Sequence, residues 1–120
     1  MQLEVKINLI LHATENENKV LEELEKNFQI EQSEFQIEQV TGHFNNSILL
    51  ISSKLKKKSA EGFVSLFFSK MKKDEFQEIF DYIEDYVTSS GLSLRISKQK
   101  LISGILEISK EDTIKINIST

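Results

Sequence analysis

The chain has 120 residues, of which 39% are hydrophobic and 28% are charged, and its formal net charge is −4. This length predicts a single domain over residues 1–120, because a second core would leave each half close to the lower limit for independent folding. The absence of cysteine excludes disulfides, thiolate metal ligands and cysteine nucleophiles. With no long apolar run and no signal-peptide pattern, we expect a soluble cytoplasmic protein that needs no cofactor.

The charge is unevenly distributed along the chain. Residues 1–53 hold 3 basic residues against 9 glutamates, whereas residues 54–100 hold 10 basic residues against 7 acidic ones. Arg95 is the only arginine, so bidentate phosphate recognition is available at one position and the lysines offer point charges. Affinity for a polyanion depends on such local clusters rather than on the net charge of the chain.

Alternating apolar residues predict a two-faced strand at the start of the chain, from Leu3 to Leu11. Thr14 and Glu17 have capping-box spacing, which predicts a helix over residues 15–27. A second strand follows near residues 35–40, then a turn and a third strand over residues 48–55. The start of this third strand is apolar on both faces, so we expect it to lie inside the sheet.

The second half of the chain predicts two helices and two or three strands. Ser59 is the expected cap of a phenylalanine-rich second helix. A third helix is predicted from Asp74 onward with an apolar stripe that reaches Val87, and Gly91 is its expected stop. Strands are predicted at residues 92–97 and 114–118, and the segment 101–108 reads as a strand or an irregular ridge. This order predicts an α+β fold with helices on one face of a mainly antiparallel sheet.

Enzymatic and metal-binding interpretations have little support in the sequence. His12 precedes a helix N-terminus, where it could act as an acid–base group. Its position in the alternation, however, places it on the solvated face of the strand, and the sequence supplies no nucleophile or orienting partner for it. Asp81, Glu84 and Asp85 share one helix face, an arrangement more typical of a solvated surface than of a cation site. We therefore predict no enzyme and no metal site.

Two groups of basic residues predict a phosphate-binding surface. The first group directly precedes a helix N-terminus, where exposed amides and the helix dipole favour anions. It consists of Lys54, Lys56, Lys57 and Lys58. The second group surrounds the fourth strand and consists of Arg95, Lys98 and Lys100. The same lysines could instead keep strand ends soluble and protect sheet edges, and their spacing does not separate the two interpretations.

The turn over residues 42–47 is a further candidate for binding. Gly and Asn tolerate left-handed backbone conformations, so the composition suits a plain strand connection. It also places an imidazole, an aromatic ring and side-chain amides on a surface loop, where binding residues often lie. His43, Phe44 and Asn46 are therefore candidates for base or sugar contacts.

Three motifs occur in the order and spacing of a known family. They are His12-Ala13-Thr14-Glu15, Gly42-His43-Phe44-Asn45-Asn46-Ser47-Ile48, and Leu94-Arg95-Ile96-Ser97-Lys98-Gln99 followed by Gly104. Over residues 9–118 the chain resembles an archaeal family of small predicted exosome-associated RNA-binding proteins. In that family the turn reads Gly-His-x-Gly-Asn-Pro-Ile, so Asn45 and Ser47 depart from it, whereas the matching residues are Gly42, His43, Asn46, Arg95, Lys98 and Gly104.

The resemblance implies a ribosomal-protein-like β-α-β-β-α-α-β-β order with a curved sheet, and a non-catalytic RNA-binding protein accessory to RNA processing or degradation by the exosome. The basic groups would contact phosphates, and the turn would add base or sugar contacts. The competing interpretation is a protein–protein interaction adaptor that docks partners through its acidic first helix or a free sheet edge. A small homodimeric enzyme is a third class, for which the sequence offers no residue set.

Overall fold

Strand β1 (Glu4–His12) runs through the interior of the sheet, and its sequence alternation is its burial pattern. Val5, Ile7, Leu9 and Leu11 are buried on one face, and the side chains between them point to the opposite face. Such a strand separates a core from a second, solvated surface. The computed structural model describes residues 2–12, 16–42 and 46–120.

Six antiparallel strands form one open, curved sheet in the order β2-β3-β1-β6-β5-β4. The elements that follow β1 are α1 (Glu17–Phe28), β2 (Phe35–Thr41), β3 (Ser47–Lys56), α2 (Lys57–Lys70), α3 (Lys73–Asp81), α4 (Ile83–Tyr86), β4 (Val87–Thr88), β5 (Gly91–Ser97), α5 (Lys98–Ile102) and β6 (Thr113–Ser119). The predicted α+β fold is confirmed, and β3 lies inside the sheet as expected. Within the described parts of the chain, no helix is long and apolar enough to cross a membrane.

The core lies between one face of the sheet and the helices. Aliphatic residues of β1, β3, β5 and β6 supply the sheet side of this core. On the helix side, the ring of Phe28 lies 5.1 Å from that of Phe63 and 5.9 Å from that of Phe67. Because this burial is confined to one face, the other face of the sheet is left available for function.

The two long helices begin at residues other than those predicted. Asn16 caps α1, because its side-chain oxygen accepts a hydrogen bond from the Lys19 amide at 3.2 Å. Thr14, the first residue of the predicted capping box, lies outside the described residues. Helix α2 begins at Lys57 without a side-chain cap, so Ser59 lies inside its first turn and the prediction that it caps the helix is wrong.

The third predicted helix is divided, and its stop signal was misassigned. Helix α3 ends at Asp81, Tyr82 has a non-helical backbone (φ −117°, ψ 36°), and α4 adds one turn. Val87 lies in β4 opposite Leu92 rather than on a helical stripe, in keeping with the strand preference of β-branched residues. Gly91, with φ +119°, begins β5 instead of ending a helix.

The ambiguous segment over residues 101–108 is neither a regular strand nor a plain ridge. Its first residues belong to α5, whose Ser97 cap accepts a hydrogen bond from the Lys100 amide at 3.1 Å. Gly104 then turns the chain with φ +79°, and Ile108 forms an isolated bridge to Ile96. The short helix positions the Lys98 side chain, which is described below.

Candidate nucleic-acid interface

The face of the sheet that points away from the helices is rich in polar and basic side chains. We call it the open face. Its strand side chains include Gln36, Glu38, Leu50, Ser52, Lys54, Lys56, Glu4, Lys6, Asn8, Ile10, His12, Lys115, Asn117 and Arg95. No group of three or more side chains of the kinds that hold a metal ion occurs in the described part of the chain.

Arg95 and Lys115 lie directly opposite each other on β5 and β6. Lys115 is in turn opposite Asn8 on β1, so the two cations continue a polar row across the sheet. Neither has an ion-pair partner among the described residues. Like charges directly opposite in a sheet are destabilising, so this pair has a folding cost that a bound anion would relieve.

A second like-charge pair lies on the same face. Lys6 of β1 is opposite Lys54 of β3. Their ammonium groups share one carboxylate oxygen of Glu4, at 3.9 Å and 3.5 Å respectively. One carboxylate cannot neutralise two ammonium groups, and exposed ion pairs of this kind are weak, so this pair also leaves positive charge on the open face.

A groove of about 810 Å³ opens between these cations and the β2 edge of the sheet. Arg95 and Lys115 line one side of it, and Gln36 and Glu38 line the other. Its floor contains the exposed aliphatic side chains of Ile10 and Leu50 as well as polar groups. Concave sites with an apolar floor and a few polar groups are typical of ligand binding.

Lys98, predicted to contact phosphate, is instead a buried structural residue with only 1% of its surface exposed. Its ammonium donates hydrogen bonds to the Ile10 carbonyl at 2.7 Å and to the Asp112 carboxylate at 2.9 Å. The prediction is therefore corrected, because an RNA phosphate cannot reach this group. Asp112 lies fourteen residues further along the chain, and no local sequence signal pairs the two.

The same contact perturbs Asp112, which also lines the groove. The hydrogen bond from Lys98 is the largest cause that lowers the pKa of the Asp112 carboxyl. Partial burial opposes this shift, whereas the Lys98 charge, a hydrogen bond from Gln99 and the charge of His12 reinforce it. Asp112 therefore stays ionised to lower pH than an ordinary aspartate.

The four lysines around the end of β3 do not converge on one anion site. Lys54 and Lys56 lie on the open face, whereas Lys58 lines a shallow pocket beside Phe63 on the helix side. The backbone turns at Lys57, where φ is 55°, and the Lys57 amide donates a hydrogen bond to the Leu3 carbonyl at 3.2 Å. This amide, at the start of α2, is therefore already occupied, which counts against the predicted helix N-terminal site.

The remaining predicted contacts lie near the margins of the sheet. Lys100 is exposed on α5, and Asn46 is exposed at the turn, where its carbonyl accepts a hydrogen bond from the Gly42 amide at 2.7 Å. His43 and Phe44 lie outside the described residues. Their roles in binding remain predictions.

Sequence analysis missed Lys6 and Lys115 as candidate binding residues. Both occupy polar positions of strongly alternating strands, and this parity was visible in the sequence. Their partners were not visible, because only the strand register places Lys115 beside Arg95 and Lys6 beside Lys54.

Comparisons with known proteins agree with the fold and identify a family. The RNA-binding protein PAB1135 of Pyrococcus abyssi (strain GE5 / Orsay) is 31% identical over 121 residues, which cover 95% of this chain and 79% of that protein. The crystal structure of SSO0741 from Sulfolobus solfataricus is 27% identical with a TM-score of 0.83, covering 98% of this chain and 86% of the other.

A further solved structure and a family model extend this likeness. Mth689 of Methanothermobacter thermautotrophicus, a DUF54 protein, is 25% identical with a TM-score of 0.72, covering 99% of this chain and 85% of the other. These relatives come from archaea, as the sequence resemblance implied. A family model described as RNA binding matches residues 4–120. The chain therefore belongs to this RNA-binding family.

Proposed function

We propose that the chain is a non-catalytic RNA-binding protein that contacts RNA phosphates through the open face of its sheet. The observation that carries this proposal is the pair Arg95 and Lys115, two cations held opposite each other without an ion-pair partner in the described residues. Lys6 and Lys54 form a second pair of opposed cations two strands away, and they share the Glu4 carboxylate. Membership of an RNA-binding family supports the same partner.

A charge-matched comparison of variants tests this proposal. Fluorescence anisotropy with a labelled single-stranded RNA would be measured at about 50 and 200 mM salt. For Arg95→Gln combined with Lys115→Gln, we expect affinity to fall on the order of tenfold at low salt. We also expect the salt slope of the binding constant to decrease by about 2, because two phosphate contacts are lost.

The matched control is Lys26→Gln combined with Lys70→Gln, which removes the same charge from exposed positions at the ends of α1 and α2. This control should bind RNA as the unmodified chain does. Equal losses in both double variants would show that only net charge matters. Absence of RNA binding at low salt would contradict the proposal directly.

A role for this RNA-binding protein in processing or degradation by the exosome, in the cytoplasm, is the second part of the proposal. A specific surface supports a protein partner. Phe76, Phe80 and Ile83 are exposed on α3 and α4, with 68% of the Phe80 surface accessible. Six carboxylates lie between residues 74 and 85. An apolar patch surrounded by acidic groups fits a partner whose surface has an apolar centre surrounded by basic groups. The same patch favours the adaptor interpretation as the second candidate function.

Binding of the purified exosome core to the immobilised chain, after ribonuclease treatment, tests this part. We expect capture that survives the nuclease and is lost in Phe80→Ser, a change at an exposed position. The open-face double variant should be captured normally. Capture that requires RNA, or no capture, would exclude a direct exosome partner. Capture by a chain that binds no RNA would favour the adaptor interpretation.

A further inference from the structure

The groove on the open face contains an aliphatic platform. Ile10 of β1 and Leu50 of β3 are direct cross-strand partners, and 49% and 37% of their surfaces are exposed. Both lie on the solvated face, so neither contributes to the core beneath the helices. Phosphate groups gain nothing from aliphatic carbon, whereas the flat face of a nucleobase would remove this platform from water. The platform therefore indicates a contact with a base.

The nearest cations without an ion-pair partner in the described ranges are placed to hold the backbone of the same nucleotide. Lys115 lies on β6, next to β1, and Arg95 lies on β5, one strand further. Neighbouring strands are roughly 5 Å apart, so the cations lie one to two strand spacings from the platform. A nucleotide whose base covers Ile10 and Leu50 can reach them with its phosphate.

Base pairing decides which form of RNA can use this groove. In an A-form duplex the bases are stacked and paired, and the accessible surface consists of phosphates, 2′-hydroxyls and a shallow minor groove. Such a surface cannot cover an apolar floor in a concave site. Unpaired bases can turn outward and lie on it, as in other single-strand sites.

A carboxylate lies beside this platform, on the neighbouring strand. Glu38 of β2 is the direct partner of Leu50 and lines the groove. Its side chain is exposed and makes neither an ion pair nor a hydrogen bond within the described residues. A carboxylate repels phosphate but accepts hydrogen bonds from N–H groups on a base edge. Guanine presents N1–H and N2–H side by side, matching the two carboxylate oxygens, whereas uracil presents a single N–H between two carbonyls.

We propose that this groove binds an unpaired guanine of single-stranded RNA. The base lies on Ile10 and Leu50, its Watson–Crick edge faces Glu38, and its phosphate lies toward Arg95 and Lys115. This inference rests on the RNA binding proposed above and adds the form of the RNA and the base that it selects.

Labelled octamers of uridine with one central guanine, inosine, adenine or uracil provide the test, with a duplex of equal length as a further probe. A single guanine avoids self-association of guanine-rich RNA. We expect the guanine octamer to bind roughly tenfold more tightly than the uridine octamer, in the range of one paired base contact. Inosine, which lacks the N2 amino group, should fall between them, and the duplex should bind most weakly.

The variant Glu38→Gln distinguishes recognition from general electrostatics. Removing a negative charge should strengthen binding to the uridine octamer slightly, whereas the guanine octamer should bind more weakly, because the amide replaces one acceptor with a donor. The ratio between guanine and uracil should therefore fall toward one. The control Glu22→Gln, an exposed position on α1, should keep the ratio.

The outcomes separate this inference from the proposed function. Equal binding of all octamers, with sensitivity to Arg95→Gln and Lys115→Gln retained, would overturn guanine recognition and leave RNA binding in place. Duplex binding as tight as that of the octamers would overturn the single-strand assignment. No binding of any RNA would overturn both proposals.

Discussion

Lys98 shows how one charged side chain can be part of the core and support the open face at once. Its ammonium joins the Ile10 carbonyl on β1 to the Asp112 carboxylate at the start of β6. Both partners line the groove, so this contact holds the Ile10 part of its floor next to Asp112. Burying an ammonium is tolerable only when hydrogen bonds and an opposite charge compensate for lost water.

The variant Asp112→Asn is expected to lower the free energy of unfolding by about 1–3 kcal/mol, because the buried ammonium loses its charged partner. Adding Lys98→Met should recover part of this loss, since it removes the uncompensated charge and keeps an unbranched side chain of similar length. Urea unfolding followed by circular dichroism measures both values. An Asp112→Asn variant as stable as the unmodified chain would contradict this role for the contact.

The lowered pKa of Asp112 gives the contact a pH dependence. Its hydrogen bond from Lys98, the main cause of the shift, is strongest while the carboxylate is ionised. The stabilisation is therefore present above the ordinary aspartate pKa of about 3.9 and is lost as the pH falls through the lower value in the folded state. The stability difference between the unmodified chain and Asp112→Asn should be largest at pH 6 and should shrink below about pH 4. Urea unfolding at pH 6 and at a pH below about 4 would measure this difference. An equal difference at the two pH values would show that ionisation of Asp112 is not the cause of the stabilisation.

At the scale of elements, replacing glycine by alanine is expected to have opposite effects on stability at two positions. Gly91 begins β5 with φ +119°, and a Cβ there would collide with the Ile118 carbonyl on β6. Gly62 lies inside α2 with open space around its position. Gly91→Ala should therefore destabilise the fold by about 1–3 kcal/mol, whereas Gly62→Ala should stabilise it by about 0.5–1 kcal/mol. Thermal unfolding of both variants checks the two signs, and a neutral Gly91→Ala would show that β5 can shift away from β6.

Element prediction succeeded where a repeat ran uninterrupted and failed at element ends. Alternation in β1 and β6 predicted both strands and their buried faces, because a period of two places every second residue on the same face. The apolar stripe after Asp74 continued through Val87 in sequence, but the helix breaks at Tyr82. Pairing of Val87 with Leu92 begins directly after α4 ends at Tyr86, and such pairing depends on contacts that helical periodicity does not contain.

At the scale of the whole molecule, the candidate site depended on strand order in a way that residue spacing could not reveal. Arg95 was identifiable as the only arginine, and Lys54 as part of a lysine cluster. Their neighbours on the open face lie on distant strands, since Lys6 is 48 positions from Lys54 and Lys115 is 20 positions from Arg95. Spacing instead grouped Lys58 with Lys54, although the chain passes to the helix side between them.

Acidic side chains and the opposed cations also lie on different sides of the molecule. The chain as a whole carries −4, with acidic residues concentrated on α1 and on α3 and α4, whereas both pairs of opposed cations lie on the open face. A polyanion is thus repelled by the helix side and oriented toward the groove. This division reconciles an acidic chain with RNA binding, and it implies that open-face cations are retained at the expense of stability.

The variant Lys115→Glu tests whether stability and RNA binding oppose each other in this way. A carboxylate opposite Arg95 replaces a repulsive pair with an attractive one, so the free energy of unfolding should rise by about 0.2–1 kcal/mol. RNA affinity should fall by more than in the neutral Lys115→Gln variant, because a repulsive charge then faces the phosphate. The control Lys26→Glu makes the same change in net charge on α1 and should leave RNA affinity nearly unchanged. Urea unfolding and anisotropy titrations on the same preparations measure both quantities. A variant that loses stability, or that keeps its RNA affinity, would show that Lys115 is retained for folding rather than for binding.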